Sequence, residues 1–300
     1  MNDHLKTFPI YKDYDFSKPL PFLTKSKITK GFPLNWQHNA FRERIASGDV
    51  EWLTTSGTSS NRLQIMRPKA WRQEQIKKSY QFHPLLHALW QAQCKRVVLT
   101  TAVCSQMVCF KSDRDMAKRW VDRSLYVNLH HNPNQWRHED VMRMMLEMNQ
   151  QSTYILDADP FYLALFLLKL EQFNLLEKWH KPACVTLGYE LCPKAIKQYI
   201  TDICAVPIIN IYGSTELGYV LMQQEDNSMF SCSEKSEIES YIVDADQAIR
   251  ELVVTSYKNP YMPLLNYKTG DLVETKQCNQ TQETIIVRVL GRMSELYSIH

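Results

Sequence analysis

Apolar and polar positions along this chain follow two regimes, and the change between them falls near residue 220. Upstream, short apolar runs are separated by longer stretches of helical composition. Such runs read as strands and such stretches as helices. The first fifty residues form an arm punctuated by Pro9, Pro19, Pro21 and Pro33, with a helix over 36–46 that Gly48 and Asp49 end. Residues 51–67 read as strand, loop, strand, with arms at 52–54 and 63–66. The pattern then predicts a helix over 68–94 broken near Pro84, a strand over 96–103 and a helix over 114–125. A polar loop at 130–136, a helix at 138–150 and a short strand at 152–156 follow. Asp159 and Pro160 open another helix, since aspartate caps free N–H groups and proline is tolerated in a first turn. This helix is apolar nearly all round at first, so its early turns are buried and its later ones reach the surface. Next come a strand at 183–187, a turn at Gly188, a helix at 193–203 and a strand at 206–211. Strand, helix, strand in that order predicts neighbouring parallel strands. Beyond Gly218, strands at 230–232, 237–243, 251–255 and 284–289 appear without long helices. The expected fold class is α/β, a parallel-sheet core followed by a mostly β subdomain.

Composition narrows the function classes. The 300 residues are 44% apolar and 22% charged, ordinary for one large domain or two modest ones. A net charge of +3, from 35 basic and 32 acidic residues, does not call for nucleic acid. The basic positions Lys18, Lys25, Lys27 and Lys30 read as a solvated face. None of the eight cysteines has CxxC spacing, and the opening MNDHLKTFPIYKDYD lacks the apolar core of a secretory leader. Reduced, core-packing thiols in a cytoplasmic protein are expected. The methionines at 142, 144, 145 and 148 read as core filling. The longest apolar run, 161–168, is too short for a bilayer, so no membrane insertion is expected.

Four short elements carry candidate chemistry. The first is TTSGTSSNRL, Thr54 to Leu63, with six hydroxyl side chains and Gly57. Backbone N–H groups around such a glycine can cradle an anion, and the hydroxyls add rotatable donors. It lacks the GxxxxGK[ST] pattern of a Walker loop, and a solvated hairpin turn is the alternative. The second is Tyr212-Gly213-Ser214-Thr215-Glu216, after an apolar strand. Ligands of α/β folds gather at such strand ends, and a glutamate there suits Mg²⁺. A capped turn that starts a helix is the alternative. The third is Tyr267-Lys268-Thr269-Gly270-Asp271, where a carboxylate could accept from both ribose hydroxyls, or simply make a turn. The fourth is Gly291-Arg292, an arginine fork for ribose or phosphate, or an exposed side chain.

In this order the elements resemble those of the adenylate-forming superfamily of acyl-CoA synthetases, nonribosomal adenylation domains and luciferases, most closely its phenylacetate–CoA ligase-like branch. The likeness covers about residues 20–295. It includes Pro21-Phe22-Leu23-Thr24-Lys25, Thr55-Ser56-Gly57-Thr58-Ser59-Ser60, Leu187-Gly188-Tyr189-Glu190, Ile211 to Glu216, Tyr267 to Asp271 and Gly291-Arg292. It implies a large adenylate-forming domain over 1–219 with a helical N-terminal arm, a β-rich subdomain over 220–292 and the start of a hinge at 293–300. The implied function is ATP-dependent activation of a carboxylic acid, aryl or otherwise apolar, as an acyl-adenylate. Ser56, Gly57, Thr58, Ser59 and Ser60 would close on the ATP β- and γ-phosphates. Gly188, Tyr189 and Glu190 would line the adenine and acyl pocket. Tyr212 would pack on adenine, with Gly213 and Ser214 beside it. Thr215 would meet the α-phosphate, Glu216 would hold Mg²⁺, Asp271 would take the ribose hydroxyls and Arg292 would reach ribose. Thr215, Glu216 and Arg292 are thus the expected catalytic residues.

The acceptor stays open between CoA and the phosphopantetheine of a carrier protein, and a homodimer is an open assembly state. Asn61 stands where the family has glycine, Asn266 where many relatives have arginine, and Arg62 or Arg67 would have to supply the basic group near pyrophosphate. The family's C-terminal domain, with its catalytic lysine, is not within these 300 residues. A nucleotide-binding module or a scaffold without turnover is therefore the alternative expectation.

Overall fold

The computed structural model describes residues 2–37, 39–55, 62–104, 107–108, 115–225, 227–233, 236–244, 248–277 and 284–295. The chain divides into two compact units. One comprises Met1–Ser79, Ser214–Val220 and Glu225–His300, the other Tyr80–Gly213 and Leu221–Gln224.

The first unit begins with the N-terminal arm. Its helices are α1 (Asn2–Leu5), α2 (Lys25–Thr29) and α3 (Asn39–Ala46). Thr24 caps α2 by accepting from the Lys27 N–H. Phe8, Tyr11 and Trp36 pack edge to face, which gives this proline-rich segment a core of its own. The arm leads into an antiparallel hairpin of β1 (Val50–Thr54) and β2 (Gln64–Pro68), with Trp52 opposite Met66. The two expected strands are present, and residues 56–61 between them lie outside the described residues. Helix α4 (Trp71–Tyr80) follows.

The second unit contains α5 (Pro84–Gln91), β3 (Lys95–Leu99), the short pair β4 (Val103–Cys104) and β5 (Met107–Val108), β6 (Trp120–Val121), β7 (Ser124–Tyr126) and α6 (His138–Asn149). It continues through β8 (Tyr154–Ala158), α7 (Pro160–Gln172), β9 (Cys184–Leu187), α8 (Lys194–Cys204) and β10 (Ile208–Ser214). Its sheet has the order β10-β9-β8-β3-β7-β6, parallel except for β6. Asp159 caps α7 through the Phe161 and Tyr162 N–H groups, as its sequence predicts. Side chains alternate across each strand. Val97, Leu125, Leu156 and Val185 therefore point to one face, in a core with Met144, Met145, Met148 and Phe166.

The helix predicted at 114–125 is not there. A 3-10 turn at Met116–Arg119 leads into β6 and β7 instead. Asp122 takes a left-handed φ of 52° that no helix allows, and buried Arg119 is drawn to Glu147 and to the Tyr126 carbonyl. Tertiary pairing overrides local helical composition here.

β11 (Gly218–Gln223) is divided between the units, its first three residues in the first and the rest in the second, and the first unit then continues with β12 (Met229–Ser231), β13 (Ser236–Asp244), β14 (Ile249–Ser256), β15 (Leu264–Gln277) and β16 (Thr284–Arg292). An antiparallel sheet of order β13-β14-β15-β16-β12 results, the mostly β region expected. β15 runs through the segment that had no predicted strand. Asn266 and Gly270 break its pattern with φ of 47° and 77°, and register shifts lie beside them. No helix among the described residues is long and apolar enough to cross a membrane.

Candidate active site

The Thr215-Glu216-Leu217 turn joins β10 to β11 and belongs to the first unit. The Ser214 hydroxyl accepts from the Leu217 N–H at 3.3 Å, so a local side-chain bond closes the turn and no helix starts there. Gly218 exits the turn with φ +69°, and a Cβ on it would lie 3.0 Å from the Trp71 ring. The Trp71 indole donates to the Lys258 carbonyl at 2.8 Å, while the Lys258 amine donates to the Tyr219 carbonyl. Burial pushes that amine below the usual lysine range. The Arg67 guanidinium lies 5.1 Å over Trp71, and its Nε donates to Glu51 at 2.8 Å. Its Nη1 makes a long 3.5 Å contact to the Thr215 carbonyl. Arg67 therefore holds this turn, and its pairing with Glu51 answers its charge.

Glu216 is 7% exposed. The phenol of fully buried Tyr267 donates to its Oε1 at 2.9 Å. Among the described residues no other group bonds this carboxylate, so Oε2 keeps its acceptor capacity. No three carboxylates, imidazoles or thiols converge among the described residues. A metal held by protein ligands alone is thus not built here. One buried carboxylate with an open oxygen instead fits Mg²⁺ that arrives with phosphate oxygens.

Asp271 and Arg292 are cross-strand partners on β15 and β16. Arg292 Nε lies 3.1 Å from Asp271 Oδ1, and its Nη1 donates to the Thr269 carbonyl at 3.1 Å. The Asp271 N–H donates to the Thr269 hydroxyl, which donates to the Leu252 carbonyl. Asp271 is fixed by its strand, whereas Arg292 stays 43% exposed and can exchange partners. The two residues expected at ribose thus sit side by side.

In the second unit Gly188 follows β9, and a Cβ there would come within 3.4 Å of the Ile211 carbonyl. Tyr189 has φ 73°, and the Glu190 N–H donates back to the Gly188 carbonyl at 2.9 Å. This three-residue turn is strained for a tyrosine. The Tyr189 hydroxyl donates to Asp157 Oδ2 at 2.6 Å, which offsets part of that strain. Asp157 also pairs with buried Arg96 and accepts from Thr186 at 2.7 Å. Glu190 is exposed, Tyr212 half-buried and Gly213 exposed.

The structure thus joins Glu216 to Tyr267, Asp271 to Arg292, and Thr215 to Arg67. It gives Tyr189 a partner, Asp157, that was not anticipated. Ser56, Gly57, Thr58, Ser59 and Ser60 lie outside the described residues. Asn210 also escaped sequence reasoning. Its Oδ1 is buried without a hydrogen-bond partner among the described residues, and its N–H shares Gln223 Oε1 with the Lys197 amine. An asparagine within the apolar run of β10 was the available signal, since a buried amide needs partners.

No protein-family model matches the sequence, and no curated protein does. Solved structures do. The chain is similar to 2-hydroxyisobutyryl-CoA ligase in an open conformation with 2-HIB-AMP and CoA, at TM-score 0.67 and 11% identity, over 99% of this chain and 73% of that one. The same ligase in the postadenylation state with R3-HIB-AMP gives TM-score 0.68 and 12% identity, over 99% and 66% of the two chains. In the thioesterification state with 2-HIB-AMP and CoA it gives 0.62 and 12%, over 97% and 65%. The chain therefore spans between 65% and 73% of the length of these ligases. At such identity the likeness establishes the fold alone, the one that these ligase structures share.

Proposed function

We propose that the protein is an acyl-adenylate-forming ligase of the phenylacetate–CoA ligase-like kind, acting on a small carboxylic acid with ATP and Mg²⁺. The reading rests above all on Glu216, a buried carboxylate with one oxygen open, in the turn that carries the Tyr-Gly-Ser-Thr-Glu element. The shared fold supports it, since the similar structures are CoA ligases bound to acyl-adenylates. CoA is accordingly the favoured acceptor.

An oxygen of the substrate carboxylate attacks the α-phosphorus of ATP. The bond from that phosphorus to the bridging oxygen breaks, and pyrophosphate leaves with the electron pair. No side-chain nucleophile is needed. The protein contributes position and fixed charge. Glu216 would hold Mg²⁺, which neutralises phosphate charge when bound. Asp271 would accept from the ribose hydroxyls and Arg292 would turn from Asp271 toward the sugar. Thr215 would donate to the α-phosphate. Tyr212, Gly213, Ser214, Gly188 and Glu190 would serve the nucleotide and the acid. Ser56 to Ser60 would meet the outer phosphates.

The test is binding of acyl-sulfamoyl-adenosines, stable mimics of the acyl-adenylate, followed by pyrophosphate release with a panel of aryl and short aliphatic acids. The proposal expects a mimic to bind more tightly than ATP, with its acid also giving the fastest release. Mimics that bind no better than adenosine would overturn it. Tight mimic binding without pyrophosphate release would leave a nucleotide-binding module in place of the ligase.

A further inference from the structure

The contacts around Glu216 make Tyr267 more than a core residue. Its ring is fully buried, and its one polar atom is spent on Glu216 Oε1 at 2.9 Å. The backbone on both sides of it is clamped. On one edge the N-terminal arm forms a parallel bridge, with the Leu23 N–H donating to the Asn266 carbonyl and the Lys268 N–H to the Leu23 carbonyl, each at 3.0 Å. On the other edge Tyr267 pairs with Val254 of β14. The arm is itself fastened nearby, as the Tyr11 hydroxyl donates to the Pro263 carbonyl at 2.6 Å and accepts from the Leu265 N–H at 3.3 Å. The phenol thus has little freedom to leave the carboxylate.

A carboxylate free to rotate would have to be ordered when a cation binds, and that ordering would cost affinity. A fixed donor on one oxygen removes the cost and leaves the other oxygen aimed. We propose that Tyr267 is a positioning residue for the metal-bearing nucleotide: it holds Glu216 so that Oε2 is presented to the cation, with the N-terminal arm as its brace. This rests on the reading of Glu216 as the Mg²⁺ ligand.

Tyr267→Phe removes the hydroxyl and keeps the ring. ATP binding by calorimetry, repeated across a series of Mg²⁺ concentrations, gives the concentration for half-maximal enhancement. The expected result is a rise of about tenfold, within the ~10–100-fold range for partners of metal ligands. ATP affinity in chelator should not change, which a general structural defect would not spare. A variant with wild-type Mg²⁺ dependence would overturn the inference while leaving the role of Glu216 intact. A wild-type protein whose ATP binding ignores Mg²⁺ would instead overturn the reading beneath it. A crystal structure of the wild type with Mn²⁺ and ATP is a check that does not depend on the variant folding. Tyr267 should still donate to one Glu216 oxygen while the other meets the metal, and a phenol turned away from Glu216 would contradict the proposal.

Discussion

Asp157 and Glu216 are both buried carboxylates beside the ends of strands, yet their surroundings differ in the feature that matters for chemistry. Asp157 is saturated: Thr186 donates to one oxygen, and Arg96 and Tyr189 to the other. Glu216 accepts one bond, from Tyr267, and has no basic partner among the described residues. A saturated carboxylate specifies structure, because any incoming group must displace a bond already made. A half-satisfied one bears a desolvation cost that a cation can relieve. The contrast separates a carboxylate bonded on both oxygens from one bonded on a single oxygen, although the two residue types look alike in sequence.

The largest expected effect lies on the saturated side. Asp157→Ala strands the Arg96 charge in the interior and should destabilise the fold by about 3–5 kcal/mol in denaturant unfolding. An equal loss from Glu216→Gln would erase the contrast. Next, Asp271→Ala should weaken ATP binding by about 1.5–3 kcal/mol while tripolyphosphate binding stays unchanged, as calorimetry would read. Equal losses for both ligands would remove the ribose role. Gly218→Ala should cost about 1–2 kcal/mol of stability, since its φ is left-handed and Trp71 stands 3.0 Å from the new methyl. Tyr189→Phe should cost about 1 kcal/mol, the net worth of its bond to Asp157. The smallest effect concerns the thiols. Burial pushes Cys184 and Cys204 up to about 12, so both stay protonated at pH 8. Mass spectrometry should find them unalkylated by iodoacetamide in the native chain and modified once it is unfolded.

Much of this organisation was legible in the sequence. The strand, helix, strand passage around Gly188, the capped start at Asp159-Pro160 and the β character beyond residue 220 all depend on local composition, and the fold follows them. Residues 114–125 misled because Trp120, Val121, Leu125 and Tyr126 suit a helix or two short strands, and the distant Glu147, with the Tyr126 carbonyl, draws Arg119 inward. β15 was hidden by Asn266 and Gly270, which read as turn residues but sit at irregularities inside a long strand. Of the candidate site, Glu216 and Asp271 could be singled out by residue type and spacing. Their partners could not, because Tyr267 lies 51 residues from Glu216 and Tyr189 lies 32 from Asp157. Pairings of that range are set by tertiary packing.

The most direct test of the central claim, that Glu216 is the open carboxylate of a metal–nucleotide site, is calorimetric titration of ATP into wild type and Glu216→Gln, each with Mg²⁺ and with chelator. The account predicts that Mg²⁺ tightens ATP binding to the wild type and leaves the variant unaffected, with the melting temperatures of the two free proteins close together. Mg²⁺ tightening ATP equally in both proteins, or no ATP binding by the wild type, would contradict it.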